Sequence, residues 1–210
     1  MGNVITFALA KGRLAEKAVE IFEKCGIECK HILEPSRKLV FFDKTEKYKF
    51  IFVKPTDVPI YVERGVADIG VVGKDTLLEG GQDVYELLDL GFGKCKLCLA
   101  GYKDFNLNSK DVLKVATKYE NVAKKYFESK GQNVELIGLH GSIELGPIVG
   151  LSDIILDIVE SGKTLIENNL CVLEEIVDCS ARLIVNKVSL KTKADDIKPL
   201  VINIEKELEA

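Results

Sequence analysis

Short apolar runs at the strand period alternate along the chain with stretches whose apolar residues recur every three or four positions, so strands and helices follow one another. Residues 4–9 read as a strand, and residues 12–25 as a helix with Leu14, Ala18, Ile21 and Phe22 on one face and Gly26 at its end. Residues 39–42 and 48–53 suggest a hairpin, and a helix opens near Pro55 and runs to Arg64. A buried strand at 68–72, a helix at 74–79 and a strand at 84–90 come next. Around the glycines at 91 and 93 the pattern suggests a passage into a second lobe.

That lobe is expected to hold strands at 94–100, 114–117 and 134–137, with the helix Glu120–Lys130 stopped by Gly131. A strand at 154–156, a short helix at 162–168 and a strand at 171–177 complete it. Residues 182–186 are expected to cross back, and residues 195–208 to form a closing helix. The pattern predicts an α/β fold built on largely parallel sheets. It divides into two lobes, residues 1–92 plus 179–210 and residues 93–178, with a central cleft lined by strand carboxyl ends.

Composition narrows the function classes. Hydrophobic residues at 47% and charged residues at 30% describe a chain that folds, and the net charge of −4 provides no global positive field for nucleic acid or an anionic membrane. Residues 1–7 lack the features of a signal peptide, and no apolar run has the length of a membrane span, so a cytoplasmic protein is expected. The six cysteines are then expected to be reduced and mostly to fill the core. Cys95 and Cys98 have the spacing of a zinc or redox motif, but on a strand they point to opposite faces, and no metal site is assigned.

The most informative segment is Asp157-Ile-Val-Glu-Ser-Gly-Lys-Thr164, between an apolar strand and a helix. Gly162 allows close backbone approach to an anion, and Ser161, Lys163, Thr164 and the converging amides complete a cradle. A nucleotide-triphosphate loop requires glycine where Asp157 stands. An acid there suits a sugar monophosphate, whose hydroxyls it can accept. On the residues alone an N-capped strand-to-helix turn remains open as the plainer alternative.

A second anion site is suggested by Lys11-Gly12-Arg13, because a cation in the first turn of a helix opposes the macrodipole unless an anion is bound there. Arg37, within Ser36-Arg37-Lys38, offers another guanidinium for phosphate oxygens. Asp68, Gly70, the run Thr117-Lys118-Tyr119, and Glu144 also sit at strand ends or turns, where turn chemistry is the alternative reading of each.

Taken in order, Leu-Ala-Lys-Gly-Arg-Leu (9–14), Ser-Arg-Lys-Leu (36–39), Gly-Val-Ala-Asp-Ile-Gly-Val-Val-Gly (65–73), Thr-Lys-Tyr (117–119), Gly-Ser-Ile-Glu-Leu-Gly-Pro (141–147) and Leu-Asp-Ile-Val-Glu-Ser-Gly-Lys-Thr-Leu (156–165) resemble the ATP phosphoribosyltransferase family. The phosphoribosyl pyrophosphate (PRPP) motif usually carries two adjacent acids, whereas here Leu156 stands in the first place and Asp153 lies earlier. The resemblance implies a periplasmic-binding-protein-like (type II) fold and transfer of phosphoribosyl from PRPP to N1 of ATP, the first step of histidine biosynthesis. It implies magnesium carried by the substrates and a short-form catalytic subunit. Such a subunit assembles as a homodimer or with a regulatory protein related to histidyl-tRNA synthetase.

The residues carried over are Asp153, Asp157, Glu160, Ser161, Gly162, Lys163, Thr164 and Glu144 for PRPP. Lys11, Gly12, Arg13, Asp68, Gly70, Thr117, Lys118 and Tyr119 fall to ATP and pyrophosphate, with Arg13 and Arg37 as catalytic groups. A small-anion-binding module of the same fold and a transferase with another acceptor remain as alternatives.

Overall fold

The computed structural model describes residues 4–209. Residues 1–3, on which part of the leader reading rests, lie outside them. The chain divides into two compact units, one of Met1–Gly93 with Ser180–Ala210 and the other of Lys94–Cys179.

In the first unit β1 (Ile5–Ala10) leads into α1 (Arg13–Lys24), then β2 (Val40–Phe42), β3 (Tyr48–Val53), α2 (Val58–Glu63), β4 (Ile69–Gly73), α3 (Lys74–Gly80) and β5 (Tyr85–Asp89). The second unit holds β6 (Cys95–Gly101), β7 (Val112–Thr117), α4 (Glu120–Lys130), β8 (Asn133–Gly138), α5 (Leu145–Ile148), β9 (Ile154–Val159), α6 (Lys163–Glu167) and β10 (Cys171–Cys179). The chain then returns to the first unit as β11 (Ala181–Val185), α7 (Ser189–Thr192) and α8 (Ala194–Glu209).

The first sheet has the order β2-β3-β1-β4-β11-β5. Every residue of β1 is buried because alternate side chains feed opposite faces, as in strands covered on both sides. Phe7 joins Phe22 of α1 and Phe50 of β3, at ring-centroid distances of 4.9 and 5.1 Å, under α1 and α8. Ala8 and Ala10 meet Val58 and Val62 of α2 on the other face. Helix α1 buries Ala15, Ala18, Val19 and Phe22, a face rotated from the expected one, which leaves Leu14 and Ile21 only partly covered.

The second sheet has the order β10-β6-β9-β7-β8. Both sheets are mixed, which corrects the expectation of largely parallel pairing. Strands β1, β3 and β4 run parallel, as do β7, β8 and β9, whereas β2, β5, β6, β10 and β11 pair antiparallel with their neighbours. The antiparallel strands include those joined without an intervening helix, such as β2 to β3, since a parallel neighbour requires a crossover. Among the described residues no helix is long and apolar enough to cross a membrane.

Candidate functional site

In the second unit the parallel strands β7, β8 and β9 end at one edge of their sheet, with Thr117 paired to both Gly138 and Leu156. The segments that follow them carry Lys118, residues 139–144 and the loop Glu160–Thr164, at the sheet edge where α/β folds present ligand-binding loops. Ile143 and Leu165 are buried together with Ala116 and Ile155, which anchors both the 140s segment and the loop to the sheet. Gly162 is left-handed at φ 71, so the loop turns there without a Cβ penalty. Glu160, Ser161, Lys163 and Thr164 are exposed beside it.

Asp157 lies within β9, one position beyond the apolar run from which the strand was expected to end. Its carboxylate faces Lys118 Nζ at 3.7 Å, and its Oδ1 accepts the N–H of Ile158 at 2.8 Å. Burial pushes this acid above the usual carboxylate range; Lys118 and the Ile158 N–H pull it down without cancelling that effect, and nearby Glu144 adds to the rise. Lys118 also lies over the ring of Tyr119, 4.9 Å from its centroid. The structure therefore brings Lys118, expected at the ATP and pyrophosphate site, beside Asp157, expected at the PRPP site.

Its two neighbours serve the fold. Thr117 is fully buried; its Oγ1 donates to the Leu156 carbonyl at 2.7 Å and accepts the Tyr119 N–H at 2.8 Å. Tyr119 is 4% exposed and supplies the surface on which Lys118 lies. Both were expected at the ATP and pyrophosphate site, and both are buried.

Asp153, also expected at the PRPP site, has partners of its own. It precedes β9, at the end of the strand opposite the loop, where it pairs with Lys110 at 2.6 Å and accepts the Lys114 N–H at 3.0 Å. Burial raises its carboxyl, but these partners outweigh burial and leave it below the ordinary range. One feature that sequence spacing did not signal is Ser142, held at φ 47 two residues before Glu144. A non-glycine residue in that region is a local strain that clusters at binding loops.

In the first unit Lys11 follows β1 and donates to the Ser36 carbonyl at 2.9 Å, so the Lys11-Gly12-Arg13 turn and the Ser36-Arg37 segment are brought together. Gly12, at φ 122, occupies a backbone conformation open in practice to glycine alone, and α1 starts directly after it. Lys11, Arg13 and Arg37 are exposed. Lys54, overlooked in the sequence, leaves the sheet next to Lys11, because Ala10 and Val53 are register partners in parallel strands. Its signal was a lysine placed directly between a strand and Pro55.

Asp68 and Gly70, expected at the ATP and pyrophosphate site, are closely packed within the first unit. Asp68 is 3% exposed and accepts from the Thr6 N–H, the Ser189 hydroxyl and Lys193 Nζ at 2.8, 2.6 and 2.8 Å. A Cβ on Gly70 would meet Val62 and Val58 of α2 at 2.8 and 2.9 Å. Cys95 is half-buried and Cys98 buried at positions of opposite parity in β6, so their side chains leave opposite faces of the strand. Among the described residues no group of three or more His, Cys, Asp or Glu side chains gathers to hold a metal ion.

Comparison with known proteins identifies the family and the fold. A family model described as ATP phosphoribosyltransferase matches residues 54–206. An ATP phosphoribosyltransferase of Brachyspira hyodysenteriae is 57% identical over 206 residues, covering 98% of this chain and all of that one (100%). The ATP phosphoribosyl transferase (HisG:HisZ) complex of Thermotoga maritima contains a chain superposing with TM-score 0.86 at 36% identity, over 98% of this chain and 99% of that one. The periplasmic aliphatic sulphonate binding protein SsuA of Escherichia coli shares the fold alone, with TM-score 0.62 at 11% identity over 99% of this chain and 69% of that one. With its α/β architecture of the periplasmic-binding-protein type and a family match across most of its length, the chain belongs to the ATP phosphoribosyltransferase family.

Proposed function

We propose that this chain transfers the phosphoribosyl group of PRPP to N1 of ATP, giving phosphoribosyl-ATP and pyrophosphate, the first step of histidine biosynthesis. The observation that carries the reading is the constellation at the ends of β7, β8 and β9. There an exposed, glycine-turned hydroxyl and lysine loop adjoins a half-buried acid paired to Lys118. Such an arrangement suits a phosphorylated sugar. Ser161, Lys163, Thr164 and the loop amides take the 5′-phosphate, while Asp157 and Glu144 accept hydrogen bonds from ribose hydroxyls.

As the bond from C1 to pyrophosphate stretches, positive charge develops on the sugar and negative charge on the leaving group. Arg13 and Arg37, with Lys11 and Lys54 beside them, neutralise the departing pyrophosphate, and adenine N1 attacks C1 from the opposite side with inversion. No resident magnesium site is assigned, because Asp157 of β9 is already paired with Lys118. Magnesium is assigned to the substrates' phosphates, where it keeps several waters. The likeness to a chain of the HisG:HisZ complex supports work alongside a second, regulatory protein, with a homodimer of this chain as the simpler assembly.

The direct test incubates the purified chain with PRPP and a panel of nitrogenous acceptors and follows pyrophosphate release, with and without a regulatory protein of the HisZ type. Release with ATP, and formation of the N1 adduct, is expected. Silence with ATP in both conditions, or release with a different acceptor, defeats the reading.

A further inference from the structure

Cys95 and Cys179 face each other across the antiparallel pairing of β6 with β10. Beyond the second irregularity of β10, the pairs Val177 with Leu97, Asp178 with Lys96 and Cys179 with Cys95 run in unbroken register. Directly opposed residues in such a ladder have Cα atoms about 4.5–5.5 Å apart. That separation lies inside the range of roughly 4.4–6.8 Å that a disulfide spans. Opposed Cβ atoms start about 4.5–5.5 Å apart, somewhat wider than the ~3.5–4.5 Å of a closed bridge, so closure requires a slight approach of the two strands. A bond made under such strain is reducible rather than permanent.

The other thiols lack this arrangement. Cys98 lies on the opposite face of β6 from Cys95, and Cys171 faces Gly101. Burial raises the Cys25 thiol, with Glu207 adding to it, and burial with Glu23 and Asp43 pushes Cys29 up to about 12. Burial raises Cys98 as well. Cys95 is half-buried, which admits a small reagent, while Cys179 is 3% exposed.

We propose that Cys95 and Cys179 form a redox-modification site that closes to a cross-strand disulfide on reaction with a low-molecular-weight disulfide of the glutathione class. The Cys95 thiolate attacks one sulfur of the oxidised reagent, forming a mixed disulfide and expelling one reagent thiolate. Cys179, its proton lost to solvent, attacks the Cys95 sulfur and expels the second. Two protein thiols are oxidised and one reagent disulfide is reduced to two thiols. Because Cys95 follows Lys94 and Cys179 is the last residue of the second unit, the bond joins the strands by which the chain enters and leaves that unit.

The test equilibrates the native full chain in glutathione buffers of increasing oxidised-to-reduced ratio, alkylates remaining thiols before unfolding, and maps peptides by mass spectrometry without reduction. The expected product is one crosslinked peptide joining Cys95 to Cys179, lighter by two hydrogens, which accumulates with the ratio and disappears with dithiothreitol. Cys98→Ser is expected to keep the crosslink. Cys95→Ser, at the half-buried position least able to disturb the fold, is expected to abolish it and to leave Cys179 reduced. Glutathione adducts alone, a crosslink between any other pair, or a crosslink to Cys179 that survives in Cys95→Ser would overturn the proposal.

Discussion

Arg13 and Asp68 both lie in segments that resemble the family, yet their surroundings differ. Arg13 is exposed beside the glycine turn that starts α1, and Arg37 is exposed next to the Ser36 carbonyl that Lys11 reaches. Neither holds a core together, so Arg13→Ala and Arg37→Ala are each expected to lower turnover about a hundredfold, equivalent to about 3 kcal/mol of leaving-group stabilisation, with an unchanged melting temperature. Steady-state kinetics beside a thermal melt checks this, and normal turnover in both variants removes them from the mechanism. Asp68→Ala removes the acceptor of three buried or half-buried donors. It is expected to destabilise the fold by on the order of 3 kcal/mol in chemical denaturation.

Asp157 combines both kinds of effect. Burial raises its carboxyl above the unfolded value, so between the ordinary carboxylate range and its raised value the folded chain holds more protons than the unfolded one. Stability therefore falls as the pH rises through that window, and at neutral pH the ionised acid weakens the fold. Asp157→Asn is expected to melt at a higher temperature than the parent at pH 7, with the advantage vanishing below the ordinary carboxylate range. The Michaelis constant for PRPP is expected to rise in the same variant. A lower melting temperature at pH 7 would mean that the pairing with Lys118 outweighs burial.

At the scale of elements, agreement between pattern and structure follows how local the determining interaction is. The bounds of α4 agree with the pattern because Gly131 supplies a left-handed stop at φ 65 within the helix's own turn. Strand β9 runs three residues past its apolar core, because pairing with β6 carries it through Asp157 to Val159 despite the polar interruption. The helices α5 and α7 span 4 residues each, too short to display a period. The loop of residues 160–164 was legible because its chemistry is contiguous in sequence, whereas the contact of Lys118 with Asp157 arises from the pairing of β7 with β9 and leaves no sequence spacing to read. The close packing of Gly70 left no signal for the same reason: its neighbours Val58 and Val62 belong to another element. Gly70→Ala is expected to push α2 away from β4 and cost about 1–3 kcal/mol of stability, with little change in turnover per folded molecule. Equilibrium unfolding and active-site titration separate the two quantities.

At the scale of the whole molecule, the chain leaves one unit, builds the other as a continuous segment, and returns. The segment 94–179 has its own five-stranded sheet and its own buried cluster of Ala100, Ala116, Ile143, Ile155, Leu165 and Leu170. Its two ends lie side by side, since β6 and β10 are neighbours and Cys95 is the partner of Cys179. Adjacent ends and a private core are the properties of an insertable domain. The fragment of residues 94–179 is therefore expected to fold alone with a cooperative thermal transition, although a core of that size leaves it less stable than the full chain. Because the phosphate loop and Asp157 both belong to it, ribose 5-phosphate is expected to shift the amide resonances of residues 160–164, and Ser161→Ala with Thr164→Ala is expected to weaken that response. A fragment without a cooperative transition would show that the second unit depends on the first for its stability. A folded fragment indifferent to ribose 5-phosphate would show that the loop alone does not make the phosphate site.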